Sequence, residues 1–362
     1  MITQFAQLQK NLPPRTAALI ASPVNRRRLT GFESADGLLF ITPATGFAPG
    51  KAVFLTDSRY IEAAKIEITA CPVEELTDAP AQLKALCKEH RVKRLFVETG
   101  HTTLAGAARL RRGLPGVWIE ARDSRVDKYL RTLRMHKTSR EDEYIRQAQG
   151  IAEAAFEYIL GIIKPGMTER EIALELDFAM LRRGAQAVSF ETIAVAGENG
   201  SKPHGVPGER PLQAGDLLTL DFGAVIDGYH SDMTRTVAVG EPGEDQKKVY
   251  EIVLEAQLAA LAALAPGIAC SKIDKRARDV IEAAGYGDDF RHGTGHGVGL
   301  EIHEAPTLSR KSKDVLAPGM IVTVEPGVYL PGKCGVRIED MALITETGYE
   351  NLTRAGKELF VL

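Results

Sequence analysis

A chain of 362 residues, 44% hydrophobic and 26% charged, has the composition of a globular protein long enough for two domains. A formal net charge of −3, with no basic run longer than Arg26-Arg27-Arg28, excludes a broad cationic surface for nucleic acid or anionic membrane. Four cysteines without C-x-x-C spacing exclude a disulfide framework or thiolate zinc site, and with no signal-like N-terminus and no apolar run of about 18 residues the expected location is the cytoplasm.

The first 120 or so residues alternate strand-like runs at 37–42, 52–56 and 94–98 with helical stretches at 60–66 and 80–90, the pattern of a small α/β domain. A charged connection at 122–137 marks the expected boundary, giving domains of 1–130 and 131–362. Thr138-Ser139-Arg140-Glu141 then has capping-box spacing and opens a predicted helix that runs to about residue 161. Beyond it lies an internal repeat. Pro165-Gly166 separates two predicted helices, and Pro266-Gly267 does the same 101 residues later; at that offset Ile172 matches Ile273 and Gly184 matches Gly285. Two such units imply pseudo-twofold halves.

Between them falls a hairpin signal, Asp227-Gly228. If these two residues make the turn, Ile226 faces Tyr229, Asp221 lies opposite Thr234, and Asp232 is diagonal to Asp221 on one face. Two further carboxylates, Glu325 and Glu339, interrupt apolar runs and are expected at strand positions in a sheet interior, while His296 sits in Gly293-Thr294-Gly295-His296-Gly297-Val298-Gly299. Taken singly, Asp221 reads as a cap or hairpin residue, and Glu325 and Glu339 as surface ion pairs. Taken together, four carboxylates in one apolar setting require cations, because each buried unpaired charge costs several kcal/mol. Two divalent ions balance four carboxylates, and one imidazole among oxygen ligands suits Mn, Co, Fe or Zn better than Ca. The glycines fail G-x-G-x-x-G spacing, which excludes a nucleotide loop, and are expected to let the backbone approach metals and substrate closely.

The order Asp221, Asp232, His296 with its glycines, Val324-Glu325-Pro326-Gly327 and Arg337-Ile338-Glu339-Asp340 resembles the pita-bread metallopeptidases, a group that includes methionine aminopeptidases, prolidases, Xaa-Pro aminopeptidases and creatinases. The 14-residue gap between the glutamates is similar to that of the proline peptidases, and Leu29-Thr30-Gly31-Phe32 and 55–60 resemble the N-terminal domain of creatinase-like chains. The resemblance implies an α/β N-terminal domain followed by an α+β pita-bread catalytic domain with a pseudo-twofold repeat and a dinuclear centre, manganese first and cobalt, zinc or iron as alternatives. It implies that Asp221 binds the first metal, Asp232 and Glu339 bridge both, and His296 and Glu325 hold the second. Glu325 also handles the proton of the attacking water, and His204 and His303 contact substrate and stabilise the intermediate. A proline-containing peptide as substrate and a homodimer follow from the same resemblance.

Arg337, on the same side of a strand as Glu339, reads either as a clamp on a carboxylate or as a surface ion pair. Tyr229 and Thr234 are further neighbours expected to support the ligands. His230 and His292 carry weaker signals, the first as a neighbour of Asp232 and the second as a packing residue near the glycine turn. Dipeptidases of the family often carry an arginine four residues beyond the second histidine; here Thr307 stands there, which favours an Xaa-Pro aminopeptidase over an Xaa-Pro dipeptidase. A pita-bread protein that binds without catalysing is the rival from another class.

Overall fold

Alternation of short apolar runs and short helices builds the N-terminal unit: α1 (Gln4–Asn11), β1 (Thr16–Ile20), α2 (Pro23–Thr30), β2 (Leu38–Ile41), β3 (Ala52–Thr56), α3 (Ile61–Glu67), β4 (Val73–Glu75), α4 (Ala79–Glu89), β5 (Arg94–Val97), α5 (Leu104–Gly113), β6 (Trp118–Glu120) and α6 (Arg125–Met135). The structure, a computed structural model, describes residues 4–44 and 49–362. Its six strands form one sheet in the order β4-β3-β2-β1-β5-β6, with β1 antiparallel to β2 and parallel to β5. Along β1, Ala18 and Ile20 enter one apolar cluster and Ala17 and Leu19 another. A sheet covered on both faces needs side chains that are apolar at every position, which is why β1 reads as a continuous run and not as an alternation.

The division between the two units falls at Leu133/Arg134, within α6. The second unit, Arg134–Leu362, opens with α7 (Ser139–Leu160), whose first turn is closed by the capping box of Thr138 and Glu141. Its first half continues with α8 (Glu169–Arg182), β7 (Ala187–Val188), β8 (Ile193–Ala196), β9 (Asp216–Phe222), β10 (Ala224–Ile226), β11 (Tyr229–His230) and β12 (Met233–Val239). The second half contains α9 (Glu244–Ala262), α10 (Cys270–Ala283), β13 (Gly295–Gly297), β14 (Glu304–Leu308), β15 (Ile321–Val324), β16 (Gly327–Leu330), β17 (Cys334–Arg337), β18 (Asp340–Ile344) and β19 (Tyr349–Asn351).

The two halves repeat each other in detail. After α7 the chain turns at Gly166 with φ 93°, and after α9 at Gly267 with φ 83°, a left-handed conformation that glycine adopts without a Cβ clash. Gly166 N donates to Leu212 O at 2.9 Å and Gly267 N to Leu316 O at 2.8 Å, and Ile172 and Ile273 are fully buried in the following helices. Each helix pair packs on its own sheet, with α7 and α8 against β9 and β12 in one apolar cluster, and α9 and α10 largely against β15 and β18 in another. The sheets run β12-β9-β8 and β14-β13-β15-β18-β19, and an isolated bridge between Thr234 and Glu339 joins them. No helix among the described residues is long and apolar enough to cross a membrane.

The glycines around His296 have a physical role beyond the one their sequence suggests. A Cβ on Gly295 would lie 2.0 Å from Thr323 O, and one on Gly297 would lie 2.2 Å from Ala305 O. They let three strands close on one another around the histidine, so the close approach is between backbones. Gly295→Ala is expected to lower the free energy of unfolding by about 3 kcal/mol or more, read by urea titration. Gly150→Ala, on an exposed turn of α7 with open space about the new methyl, should instead stabilise by about 0.4–1 kcal/mol.

Candidate metal centre

Turn chemistry aims the first two carboxylates. Asp227 and Gly228 both have positive φ, 46° and 70°, as a tight two-residue hairpin turn demands, and Ile226 pairs with Tyr229 across them. The same register continues through β9 and β12, so Asp221 pairs with Thr234 and Met233 with Phe222. Asp232, just before β12, is buried and diagonal to Asp221, and both line one cavity of about 660 Å³.

The remaining groups come from the other half. His296 is the central residue of β13, opposite Thr307. Glu325 and Glu339 do not sit inside strands as expected: Glu325 lies at the break between β15 and β16, and Glu339 between β17 and β18, paired through the isolated bridge to Thr234. Pro326 has no N–H with which to continue a ladder, and at both breaks the chain passes from one sheet to another. Freed from the alternation of a strand, both carboxylates turn into the cavity.

These groups demand a cation. Asp221 Oδ1, Asp232 Oδ1 and Glu339 Oε1 are buried without a hydrogen-bond partner, and ligand atoms of Asp232, His296 and Glu339 lie within 4.8 Å of one another. Burial first, then the charges of Glu339, Asp221 and Glu325, holds the Asp232 carboxyl well above the usual carboxylate range. Glu339 is raised likewise by burial and by Glu325 and Asp221, and burial also lifts Glu325. Burial pulls the His296 imidazole below its ordinary value and favours the neutral ring. Its Nδ1 is 3.1 Å from Gly297 O and so carries the proton, which turns the Nε2 lone pair toward Glu325 Oε1 at 3.3 Å and Asp232 Oδ2 at 3.6 Å. A lone pair facing carboxylate oxygens is repulsive until a cation lies between them. Oxygen donors with one imidazole and no thiolate fit a divalent transition metal.

Behind this group runs a hydrogen-bonded layer. Arg337, buried, donates to Asp221 Oδ2 at 2.6 Å, to Thr234 Oγ1 at 3.1 Å and to the Tyr329 hydroxyl at 2.7 Å. Thr234 passes its own hydroxyl proton on to Glu339 Oε2 at 2.7 Å. Although burial works against the charge, Tyr329, Asp221 and Glu325 together hold Arg337 well above its ordinary value. The sequence reading missed Tyr329, whose phenol burial pushes up to about 12, and Thr323, whose hydroxyl accepts from His296 N at 3.1 Å and donates to Glu325 Oε1 at 3.2 Å. Thr323 lies two residues before Glu325 in the same run, a spacing that could have drawn notice; Tyr329 carries no such signal. Arg235 was missed as well. Fully buried, it donates to Thr234 O at 2.9 Å, Glu339 O at 2.6 Å and Asp340 Oδ1 at 2.8 Å, clasping the two halves beneath the carboxylates.

Tyr229 is not brought to the centre. Its hydroxyl donates to Glu141 Oε1 at 2.6 Å and its ring stacks on Tyr144, because the turn carries it past the end of the sheet toward α7, and it does not line the cavity. His230 is likewise outside the cavity, its backbone N–H donating to Gly299 O. His292 is closer than its weak signal implied, with Nε2 3.0 Å from the Tyr329 hydroxyl and the ring in the cavity wall. His204 and His303 both line the cavity; the His303 ring meets His296 edge-on at 4.4 Å between centroids, and burial followed by His296 lowers its basicity. Phe190, Ile193, Val206, Pro207 and Ile302 add an apolar wall. The arrangement can hold cations at one end and a small apolar group beside them.

Residues 143–346 match the model of Metallopeptidase family M24, and residues 15–136 that of the Creatinase/Prolidase N-terminal domain. A Bacillus subtilis protein described as "Uncharacterized peptidase YqhT" is 42% identical over 345 residues, 95% of each chain. Among solved structures, an Xaa-Pro dipeptidase from Bacillus anthracis superposes with a TM-score of 0.90 at 38% identity, covering 96% of this chain and 95% of that one. An X-Pro aminopeptidase from Thermotoga maritima gives 0.88 at 34% identity, over 98% and 100%. The chain belongs to metallopeptidase family M24, its pita-bread catalytic domain preceded by a creatinase/prolidase-type α/β domain.

For the raised carboxyls, the folded pKa lies above an unfolded value of about 4, so without metal the folded state holds more protons across that interval and loses stability as pH rises through it. Asp232→Asn removes one of the repelling charges. Metal-free Asp232→Asn is therefore expected to melt roughly 2–4 °C above metal-free wild type at pH 8, with the difference vanishing toward pH 4. Equal midpoints at pH 8 would contradict this account of the repulsion.

Proposed function

We propose that the protein is a metal-dependent Xaa-Pro aminopeptidase, which releases the N-terminal residue that precedes proline in a peptide. The observation that carries the reading is the set of partnerless carboxylate oxygens on Asp221, Asp232 and Glu339 facing the His296 lone pair. Asp221 would hold one divalent ion, Asp232 and Glu339 would bridge two, and His296 with Glu325 would hold the second. When bound, such a pair lowers the pKa of a water toward neutrality and polarises the scissile carbonyl. Thr323 donates to Glu325 Oε1 and the His296 lone pair faces that same oxygen across the ion they would share, so Oε2 would be left to take the water's proton and return it to the departing proline nitrogen. His204 and His303 hold the substrate and the oxygen on which negative charge develops. The apolar wall takes the proline ring. Manganese as the resident metal and a homodimer rest on family resemblance and belong to the same proposal, as does a cytoplasmic location.

One observation favours the aminopeptidase reading over the dipeptidase one. A dipeptide places its free carboxylate inside the cavity, where a cation must meet it. Among the described residues lining the cavity, Arg337 is the one arginine or lysine, and it is already engaged by Asp221 and Tyr329; Thr307 offers only a hydroxyl. The resemblance to a solved Xaa-Pro dipeptidase keeps that activity as the second reading.

Glu339→Ala is expected to lose one or both metals, measured by elemental analysis, and nearly all hydrolysis; full activity in a verified metal-free preparation would overturn the metal mechanism. Under one metal loading, kcat/KM should be higher for Xaa-Pro-Xaa than for Xaa-Pro, with little cleavage when alanine replaces proline. A clear preference for the dipeptide would make the enzyme a prolidase.

A further inference from the structure

Within the connection between β8 and β9, the loop of residues 197–209 carries Pro203, His204, Val206 and Pro207 into the cavity wall. Among the described residues no side chain hydrogen-bonds the His204 ring, so the position of that ring is set by the backbone of its loop. The loop in turn converges on one buried carboxylate. Glu169, the first residue of α8, is fully buried; its Oε1 accepts from Ala196 N at 2.8 Å, and its Oε2 accepts from Asn199 Nδ2 at 2.7 Å and Gly208 N at 3.0 Å. The Asn199 amide also donates to Val206 O at 3.1 Å. Asn199 precedes His204 by five residues and Gly208 follows it by four, so the carboxylate closes the loop on both sides of the histidine.

No ion pair neutralises Glu169 among the described residues, and burying an unpaired carboxylate is costly unless its hydrogen bonds are complete. Here three N–H donors meet two oxygens, an arrangement that an acceptor-only group satisfies and an amide does not, because its NH₂ would face a donor. The second half has a counterpart. Glu304, also buried, accepts from Glu301 N at 3.0 Å and pairs with Lys137 at 3.2 Å, at the foot of the loop that carries His303.

We propose that Glu169 is a positioning residue for the peptidase reaction, fixing the 197–209 loop so that His204 meets the substrate. The inference rests on the role proposed above for His204. A Glu169→Gln variant sets an amide against the three donors; Asn199→Ala is the milder variant, which leaves the carboxylate bonded to Ala196 and Gly208. Hydrogen exchange followed by mass spectrometry should show both variants exchanging at least about tenfold faster within 197–209, with α7 and the β9/β12 strands unchanged. Metal content should match wild type. With a Xaa-Pro-Xaa peptide, Glu169→Gln should lower kcat by about 10- to 100-fold, since displacement of a positioned group by about 1 Å has that effect. In a His204→Ala background the same substitution should cost less than about twofold, because the group it positions is already gone.

An equal loss in both backgrounds would overturn the proposal and make Glu169 a general stabiliser of α8. Unchanged exchange in 197–209 for both variants would overturn it whatever the kinetics. If the wild-type enzyme hydrolyses no proline peptide, the functional reading fails, and the exchange measurement still decides whether Glu169 holds the loop.

Discussion

Mutual repulsion among Asp221, Asp232, Glu325 and Glu339 is the constraint on which the catalytic unit depends. Four carboxylates facing one cavity, with the Arg337 guanidinium as their buried counter-charge, would push their strands apart unless the backbone beneath them were fixed from both sides. The structure supplies that fixity directly under the charges. Thr234 pairs with Asp221 within one sheet and with Glu339 across to the next, and Arg235 fills the space below with bonds to Thr234 O, Glu339 O and Asp340. Three features at the start of β12, the carboxylate of Asp232 just before it and the hydroxyl of Thr234 and guanidinium of Arg235 within it, thus serve charge, relay and clasp in turn.

The same constraint explains why the site lies between two copies of a structural unit. A single sheet face that carried all five groups would set like charges on neighbouring positions of one ladder, where cross-strand repulsion destabilises pairing. Dividing them between halves gives each sheet only part of the burden. It also allows the carboxylates of the second half to sit at strand breaks, where they can rotate into the cavity without a ladder dictating their direction.

Features governed by neighbours in sequence were legible before the structure. The Asp227-Gly228 turn fixed the pairing of Asp221 with Thr234, and Pro165-Gly166 and Pro266-Gly267 revealed the repeat, because turn dihedrals and hydrophobic period are local properties. Features governed by distant neighbours were not. Arg235 read as one of many charged residues, and only the approach of Glu339 and Asp340 more than a hundred positions later gives its burial meaning. Tyr229 was misplaced because nearness along the chain does not say where a side chain beyond a turn will land, and it landed on α7. The glycines about His296 were recognised as close-approach residues, but the strand carbonyls of Ala305 and Thr323 that they also accommodate were not foreseen, since only the folded sheet brings those strands together.

The outer edge of β12 has a history as well as a position. Among the described residues β12 pairs in its own sheet only with β9; its other side is met by Glu339 at Thr234 and by Val361 at Ala238, with Gly240 N donating to Leu362 O at 2.7 Å. Those partners are synthesised about a hundred residues or more after β12 itself. During translation the first half therefore emerges with an apolar strand edge open, the kind of surface on which nascent chains join one another. One of the two contacts that cover this edge is made by Glu339 itself, so the step that begins to protect the nascent protein from its neighbours is the step that completes its ligand set.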